Sequence, residues 1–365
     1  MKRFFFFLMA GTLLAGALVS CNKDNTKIDT SSPMNRTWIL SNPWGYTNTY
    51  FSKFTKDKAV FITVSPDEEN LSSIPYSNRD CWDIQWMSQD AIDVLRATDP
   101  RIDLYLDYYQ LPKDNLFAYR NIGTRAEYSP DSFQWALFAA VGTNSCWVFF
   151  SYSQDADDLD YYKLTSSPTQ LTYKDVPVNA VDLGLSVYWG RYNLSSEWPE
   201  TKKTVGFNEH SAGDYFAWGE TETKETYNIN TYKYSDNPYT LPLEHDVAHK
   251  MLGGKWRLPS EAELKELMEK CKQTLSSDTP KEYYYGANTP GYKRNSITIP
   301  LAGYKGTDLQ YSGTSGFYWT RERDGEDQTK AKAWYLRQSA NPPVVIVSDV
   351  RSRGYTIRPV WDPKM

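Results

Sequence analysis

Residues 81–94 read CWDIQWMSQDAIDV. Trp82, Ile84 and Trp86 are separated by Asp83 and Gln85, the period of two that sends successive side chains to opposite faces of a strand. Ser88-Gln89-Asp90 follows as a turn, and Ile92 and Val94 begin a second alternation, so the stretch reads as a β-hairpin. Working outward, Ile102, Leu104, Leu106 and Tyr108 alternate with Asp103, Tyr105 and Asp107. Gly142-Thr143-Asn144-Ser145 parts an apolar run at 133–141 from another at 146–152, a second hairpin signal. Short strands between frequent turns over 36–173 predict an all-β N-terminal domain, an antiparallel barrel or a sandwich. The 13 Trp, 28 Tyr and 15 Phe of the 365-residue chain favour the same class, since aromatic side chains suit pleated, half-buried surfaces.

The opening of that domain, Thr37-Trp38-Ile39-Leu40, and the pattern after it resemble lipocalin-like domains of bacterial lipoproteins. The chain has room for a second domain. Ser166, Ser167, Pro168 and Pro177 mark residues 165–178 as a linker, and the second domain starts near Asn179. A formal charge of -5 provides no cationic field for phosphates, which excludes nucleic acid as a partner.

Lys2 and Arg3 precede an apolar run from Phe4 to Val19, the grammar of an export leader rather than a membrane span. The run ends in Leu18-Val19-Ser20-Cys21, which resembles the bacterial lipobox. That resemblance implies a lipoprotein signal peptide over 1–20, lipidation of Cys21, and attachment to the membrane by acyl chains, which together anchor where one chain would not. Residues 21–35 lack apolar periodicity and read as a polar tether, on the order of 20 Å as a flexible coil. Of the 4 Cys, three remain for the folded part. Cys81 and Cys146 either pair or stay as buried thiols, and Cys271 has no partner in its own domain.

From residue 179 the motifs become specific: Ala180-Val181-Asp182-Leu183-Gly184-Leu185, Gly213-Asp214-Tyr215-Phe216-Ala217-Trp218-Gly219-Glu220, Gly253-Gly254-Lys255-Trp256-Arg257-Leu258-Pro259-Ser260, Leu301-Ala302-Gly303-Tyr304, Gly316-Phe317-Tyr318-Trp319 and Gly354-Tyr355-Thr356-Ile357-Arg358-Pro359. In this order they resemble the Fibrobacter succinogenes major paralogous domain of Bacteroidetes lipoproteins. The resemblance implies an α+β, C-type-lectin-like domain over 179–365. Independently, Ser260 and Glu263 form a capping box, and Leu264, Leu267, Met268 and Cys271 fall on one face of the helix it starts. The apolar run from Val344 to Val347 suits a buried strand.

His245 and His249 stand at helical i, i+4 spacing, a zinc-like signal. Asp246 occupies the place where a zinc protease needs Glu, and no third ligand is evident, so a solvated pair is expected and no metal. A thiol mechanism like that of the formylglycine-generating relatives lacks a second cysteine beside Cys271. Glu-Pro-Asn, Gln-Pro-Asp and Trp-Asn-Asp, the calcium motifs of true C-type lectins, are absent. No Gly-x-Ser-x-Gly or phosphate-cradling loop occurs, so neither an enzyme nor a cofactor is expected. The remaining chemistry is aromatic. Tyr285, Tyr304 and Tyr311, among Gly306, Gly313, Asp308, Gln310 and Thr314, are the candidate ligand contacts, since tyrosines present rigid amphipathic surface at low entropic cost. The expected function is a non-catalytic binding or adhesion module for a glycan or protein, lipid-anchored at the outer membrane and facing the cell surface. The alternative is a structural or assembly component of the envelope.

Overall fold

The computed structural model describes residues 32–40, 48–68, 70–122, 134–151, 159–196, 209–278, 281–339 and 341–365. The expected leader, Cys21 and the expected tether as far as residue 31 lie outside them. The chain divides into two compact units between Asp175 and Val176.

Unit one is a closed antiparallel barrel of eight strands. They are β1 (Thr37–Leu40), β2 (Thr49–Phe54), β3 (Lys58–Val64), β5 (Cys81–Trp86), β6 (Phe117–Asn121), β7 (Trp135–Ala139), β8 (Ser145–Ser151) and β9 (Asp160–Ser166), with β9 returning to β1. Two further strands, β4 (Ser73–Tyr76) and β10 (Gln170–Tyr173), pair in parallel beside the barrel. The period of two sorts the wall. Trp38, Phe54, Ile84, Tyr119, Phe138, Val148 and Leu164 fill the interior. Residues of opposite parity face out, where Val60 and Ile62 meet Ile74 and Leu171 of the parallel pair.

The stretch 89–108 departs from the strand reading. It forms two helices, α1 (Gln89–Thr98) and α2 (Pro100–Tyr108). Ser88 caps α1 by accepting from the Ala91 amide, and Asp99 caps α2 with Pro100 in the first turn, where its missing N–H costs nothing. A strand would have put Ile102, Leu104, Leu106 and Tyr108 on one face. Instead Ile102 and Leu106, one helical turn apart, pack against Leu137 and Phe149 of the barrel, while Leu104 and Tyr108 are 66% and 77% exposed.

Two stretches expected to be tether or linker also belong in part to folded structure. The Trp38 indole donates to the Pro33 carbonyl at 2.9 Å and the Asn35 amide to Phe54, so residues 32–35 belong to the barrel. Within 165–178 lie the end of β9 and all of β10, with the Ser167 amide donating to Thr37. Cys81 and Cys146 are buried thiols not joined by a disulfide. Cys81 belongs to the outer cluster and Cys146 to the interior, so the barrel wall separates them. Burial pushes the Cys146 thiol up to about 12.

Unit two combines small sheets with two helices. β11 (Ala180–Val181), β12 (Tyr188–Gly190), β22 (Val360–Trp361) and β13 (Trp256–Arg257) form one sheet in that order. A second holds β14 (Cys271–Leu275), β15 (Glu282–Ala287) and β16 (Ser296–Pro300). β17 (Tyr304–Lys305) and β18 (Leu309–Gln310) form a hairpin, and β19 (Ser315–Arg323), β20 (Lys330–Arg337) and β21 (Val344–Val350) a three-stranded sheet. The helices are α3 (Val247–Leu252) and α4 (Glu261–Lys270). Ser260 and Glu263 make the reciprocal capping box, and Leu264 and Leu267 are buried. Cys271 ends α4 and begins β14, turned into the core, where burial lifts its thiol to about 11. β21 forms as expected, but every residue in it is only half-buried because it lies at a sheet edge.

Buried polar side chains tie these pieces together. Arg358 is fully buried and donates to the carbonyls of Gly190, Arg191 and Thr298 at 3.0, 2.5 and 2.5 Å, joining β12, β16 and the chain before β22. Burial pulls its guanidinium down to about 10. The Asp246 carboxylate accepts from the amides of Ala248, His249 and Leu258, fixing α3 to the entry of α4.

Candidate functional site

The hairpin β17–β18 is built by backbone constraints before any side chain acts. Tyr304 pairs with Gln310 and Lys305 with Leu309, and Lys305 exchanges hydrogen bonds of 2.8 and 2.9 Å with Gly354. Gly303, at φ +69°, lies so close to β18 that a Cβ there would stand 2.2 Å from the Gln310 carbonyl oxygen. At Gly354 a Cβ would stand 2.7 Å from the Tyr227 ring. Tyr311 adopts φ +57°, and its carbonyl accepts from the Thr314 hydroxyl and the Ser315 amide, which turns the chain back into β19.

That turn brings Tyr311 beside Tyr304, with ring centroids 5.9 Å apart and planes at 33°. Tyr304 meets Phe317 edge-on at 5.3 Å, and Phe317 stacks on Tyr335 at 4.4 Å and 13°. The four rings form a continuous aromatic row from β18 to β20, buried at Phe317, half-buried at Tyr304 and Tyr335 and open at Tyr311. Tyr311 is 59% and Leu309 50% exposed at its outer end. Polar groups edge it. The Tyr304 hydroxyl donates to the Gln310 amide oxygen at 2.7 Å, Arg353 lies over the Tyr304 ring at 5.1 Å, and Arg337 over Tyr335 at 5.2 Å. Arg353 donates to Asp349 at 2.7 Å, and the Tyr355 hydroxyl bonds the same carboxylate. Burial works against the Arg353 charge, but Asp349 and Tyr355 hold its pKa above the usual guanidinium value. Burial, with Asp349 adding to it, pushes the Tyr355 hydroxyl well above the phenolic range. Arg353 is therefore a fixed cation over the half-buried Tyr304 ring. Such a surface can stack on the flat face of a sugar or an apolar side chain while offering hydrogen bonds at its border.

The structure brings Tyr304 and Tyr311 together and leaves Tyr285 out. Tyr285 is fully buried in the middle of β15, its ring 5.4 Å from Trp334 and its hydroxyl donating to Gln273 at 3.1 Å, so it is a core residue rather than a ligand contact. The run at 283–285 is a strand: Tyr283 and Tyr285 face the core, and Tyr284 points the other way and donates to Glu282 at 2.6 Å. Arg353, Asp349 and Tyr335, absent from the sequence expectation, complete the site from far along the chain.

The two histidines do not share one helical face. His245 ends a 3-10 turn (Leu243–His245) and α3 begins only at Val247. The His245 ring packs on Tyr234 at 4.4 Å with Nδ1 3.3 Å from the Gly219 carbonyl, and His249 Nδ1 lies 3.3 Å from that of Trp256. Both are partly buried against main chain rather than solvated. Among the described residues no three His, Cys, Asp or Glu side chains are grouped to hold a metal ion. No helix among them is long and apolar enough to cross a membrane.

No known protein family, curated protein or solved structure matches this chain.

Proposed function

We propose that the chain is a lipoprotein held at the bacterial outer membrane through Cys21, whose second unit is a lectin-like module of the major paralogous type binding a glycan or protein without catalysis. The observation that supports this reading is the pair Tyr304 and Tyr311, held in a fixed geometry by Gly303 and Gly354, with Tyr304 half-buried, Tyr311 open to solvent, and Gln310 and Arg353 at its edge. Tyr311, 59% exposed at the outer end of the row, is the ring of the pair that a ligand can reach. The anchor rests on the leader and the lipobox-like Leu18-Val19-Ser20-Cys21.

The protein lacking residues 1–21 is applied to a glycan array and to immobilised extracellular proteins, with calcium and with chelator. A calcium-independent ligand is expected, weakened roughly ten-fold, about 1.4 kcal/mol, by Tyr311→Ala and by Tyr304→Ala, and unchanged by Tyr285→Phe. Binding that survives both alanine variants removes the site. A chain that binds nothing reverts to the envelope-component alternative. Fatty-acid labelling that persists in Cys21→Ala removes the anchor.

A further inference from the structure

β21 has β20 on one side and, among the described residues, no strand on the other. In an antiparallel ladder, alternate residues turn their main-chain groups towards the neighbour and the rest turn them away. The Arg337 amide donates to the Pro343 carbonyl, and the register runs from Leu336 opposite Val344 to Lys330 opposite Val350. Val345, Val347 and Asp349 therefore face β20, and the main-chain groups of Val344, Ile346, Ser348 and Val350 face outward. Val350 is already committed: its amide donates to the Asp349 carboxylate at 2.7 Å and its carbonyl accepts from Arg353. Pro342, the next outward residue at the other end, has no N–H, and its carbonyl accepts from the Arg337 guanidinium. Between these stops lies a window of three outward N–H and C=O pairs, at Val344, Ile346 and Ser348, carrying no charged side chain. Exposed apolar edges of this kind are templates for another strand.

We propose that this edge pairs with the same edge of a second copy of the chain, antiparallel about a two-fold axis through Ile346. The window is complementary to itself. With Ile346 facing Ile346, Val344 faces Ser348 and every outward group meets another outward group, whereas a one-residue slip sets outward groups against inward ones. Val345 then faces Val347, so apolar side chains meet across the axis. Just beyond the window, Val350 of one copy comes opposite Pro342 of the other, so the two stops coincide at each end of the pairing. The contact is short and well below the roughly 1,200 Å² of stable interfaces, so the association is reversible and concentration-dependent. It does not depend on the aromatic site or on the anchor.

Sedimentation of the protein lacking residues 1–21, up to about millimolar concentration, tests the pairing. The mass should rise towards twice the monomer. Ile346→Pro deletes the central outward donor without removing a bond inside the sheet, and should hold the protein monomeric at ten-fold higher concentration. Ile346→Val trims the same packing but keeps the donor, and should associate like the wild type; melting curves of all three verify folding. Facing residues in a hydrogen-bonded pair have Cα atoms about 5.5 Å apart, within disulfide range, so Ile346→Cys should cross-link under mild oxidation and Val345→Cys should not. A wild type that stays monomeric throughout, an undiminished dimer in folded Ile346→Pro, or equal cross-linking at both positions overturns the proposal.

Discussion

The two units satisfy their main chains in opposite ways. In the barrel every wall strand has a neighbour on both sides, so hydrogen bonding closes on itself and the side chains only have to fill the interior. Unit two is made of sheets of two to four strands that end in edges. There, buried side chains do what neighbouring strands do in the barrel. Arg358 reaches three carbonyls, and Arg351, packed against Trp218, Tyr232 and Tyr234, donates to the carbonyls of Gln328 and Asp236. A closed sheet thus depends on apolar volume, and a fragmented one on individual polar anchors.

The largest effect that could break this contrast is in the barrel. Trp38→Ala removes a fully buried interior side chain and should cost about 3–5 kcal/mol. In a thermal unfolding experiment the barrel transition should fall and that of unit two stay in place. Next comes Arg358→Met, similar in length but without donors, which leaves three buried carbonyls unsatisfied and should cost unit two about 2–4 kcal/mol. If either variant lowers both transitions together, the two units unfold as one block and the contrast fails as a statement about stability.

A smaller effect sharpens the comparison, because unit one also carries ion pairs, among them one between its two helices. Arg96 donates to both carboxylate oxygens of Asp103, at 2.8 and 3.2 Å, tying α1 to α2. The hydrogen bond with Arg96 holds the Asp103 carboxyl below its ordinary value. A carboxyl depressed in the folded state adds stability above its unfolded pKa and loses it as pH falls through the folded one. The pair is largely solvated, so Asp103→Asn should cost only a few tenths of a kcal/mol at neutral pH. The melting temperatures of variant and wild type should converge as pH drops below about 4. A gap that persists in acid would mean that the asparagine disturbs helix packing rather than charge.

Much of the barrel was legible because its signal is local. Trp82, Ile84 and Trp86 do alternate into the interior, and Gly142 to Ser145 does turn β7 into β8. Helices α1 and α2 were misread because Ile102, Leu104, Leu106 and Tyr108 satisfy a period of two, while the burial of Ile102 and Leu106 alone satisfies four. The deciding marks were the caps Ser88 and Asp99, the latter with Pro100. Tyr285 was misplaced because a tyrosine-rich strand looks like a tyrosine-rich loop until its neighbours are known. Tyr304 and Tyr311 were singled out from a local Gly-rich stretch and do lie side by side, but Arg353 and Tyr335 join them only through pairing between distant strands and loops, for which no local pattern exists.

Gly303 and Gly354 bear on how the aromatic surface can vary. Both sit where a side chain would collide with main chain or with the Tyr227 ring, so the foot of the hairpin is closed to substitution. Thr307, Asp308 and Gln310, at and beside its tip, are exposed and carry no such restriction. The tip can therefore change in sequence while the foot and the ring pair stay constant. A combinatorial library built on this unit would randomise those three positions and leave the two glycines untouched.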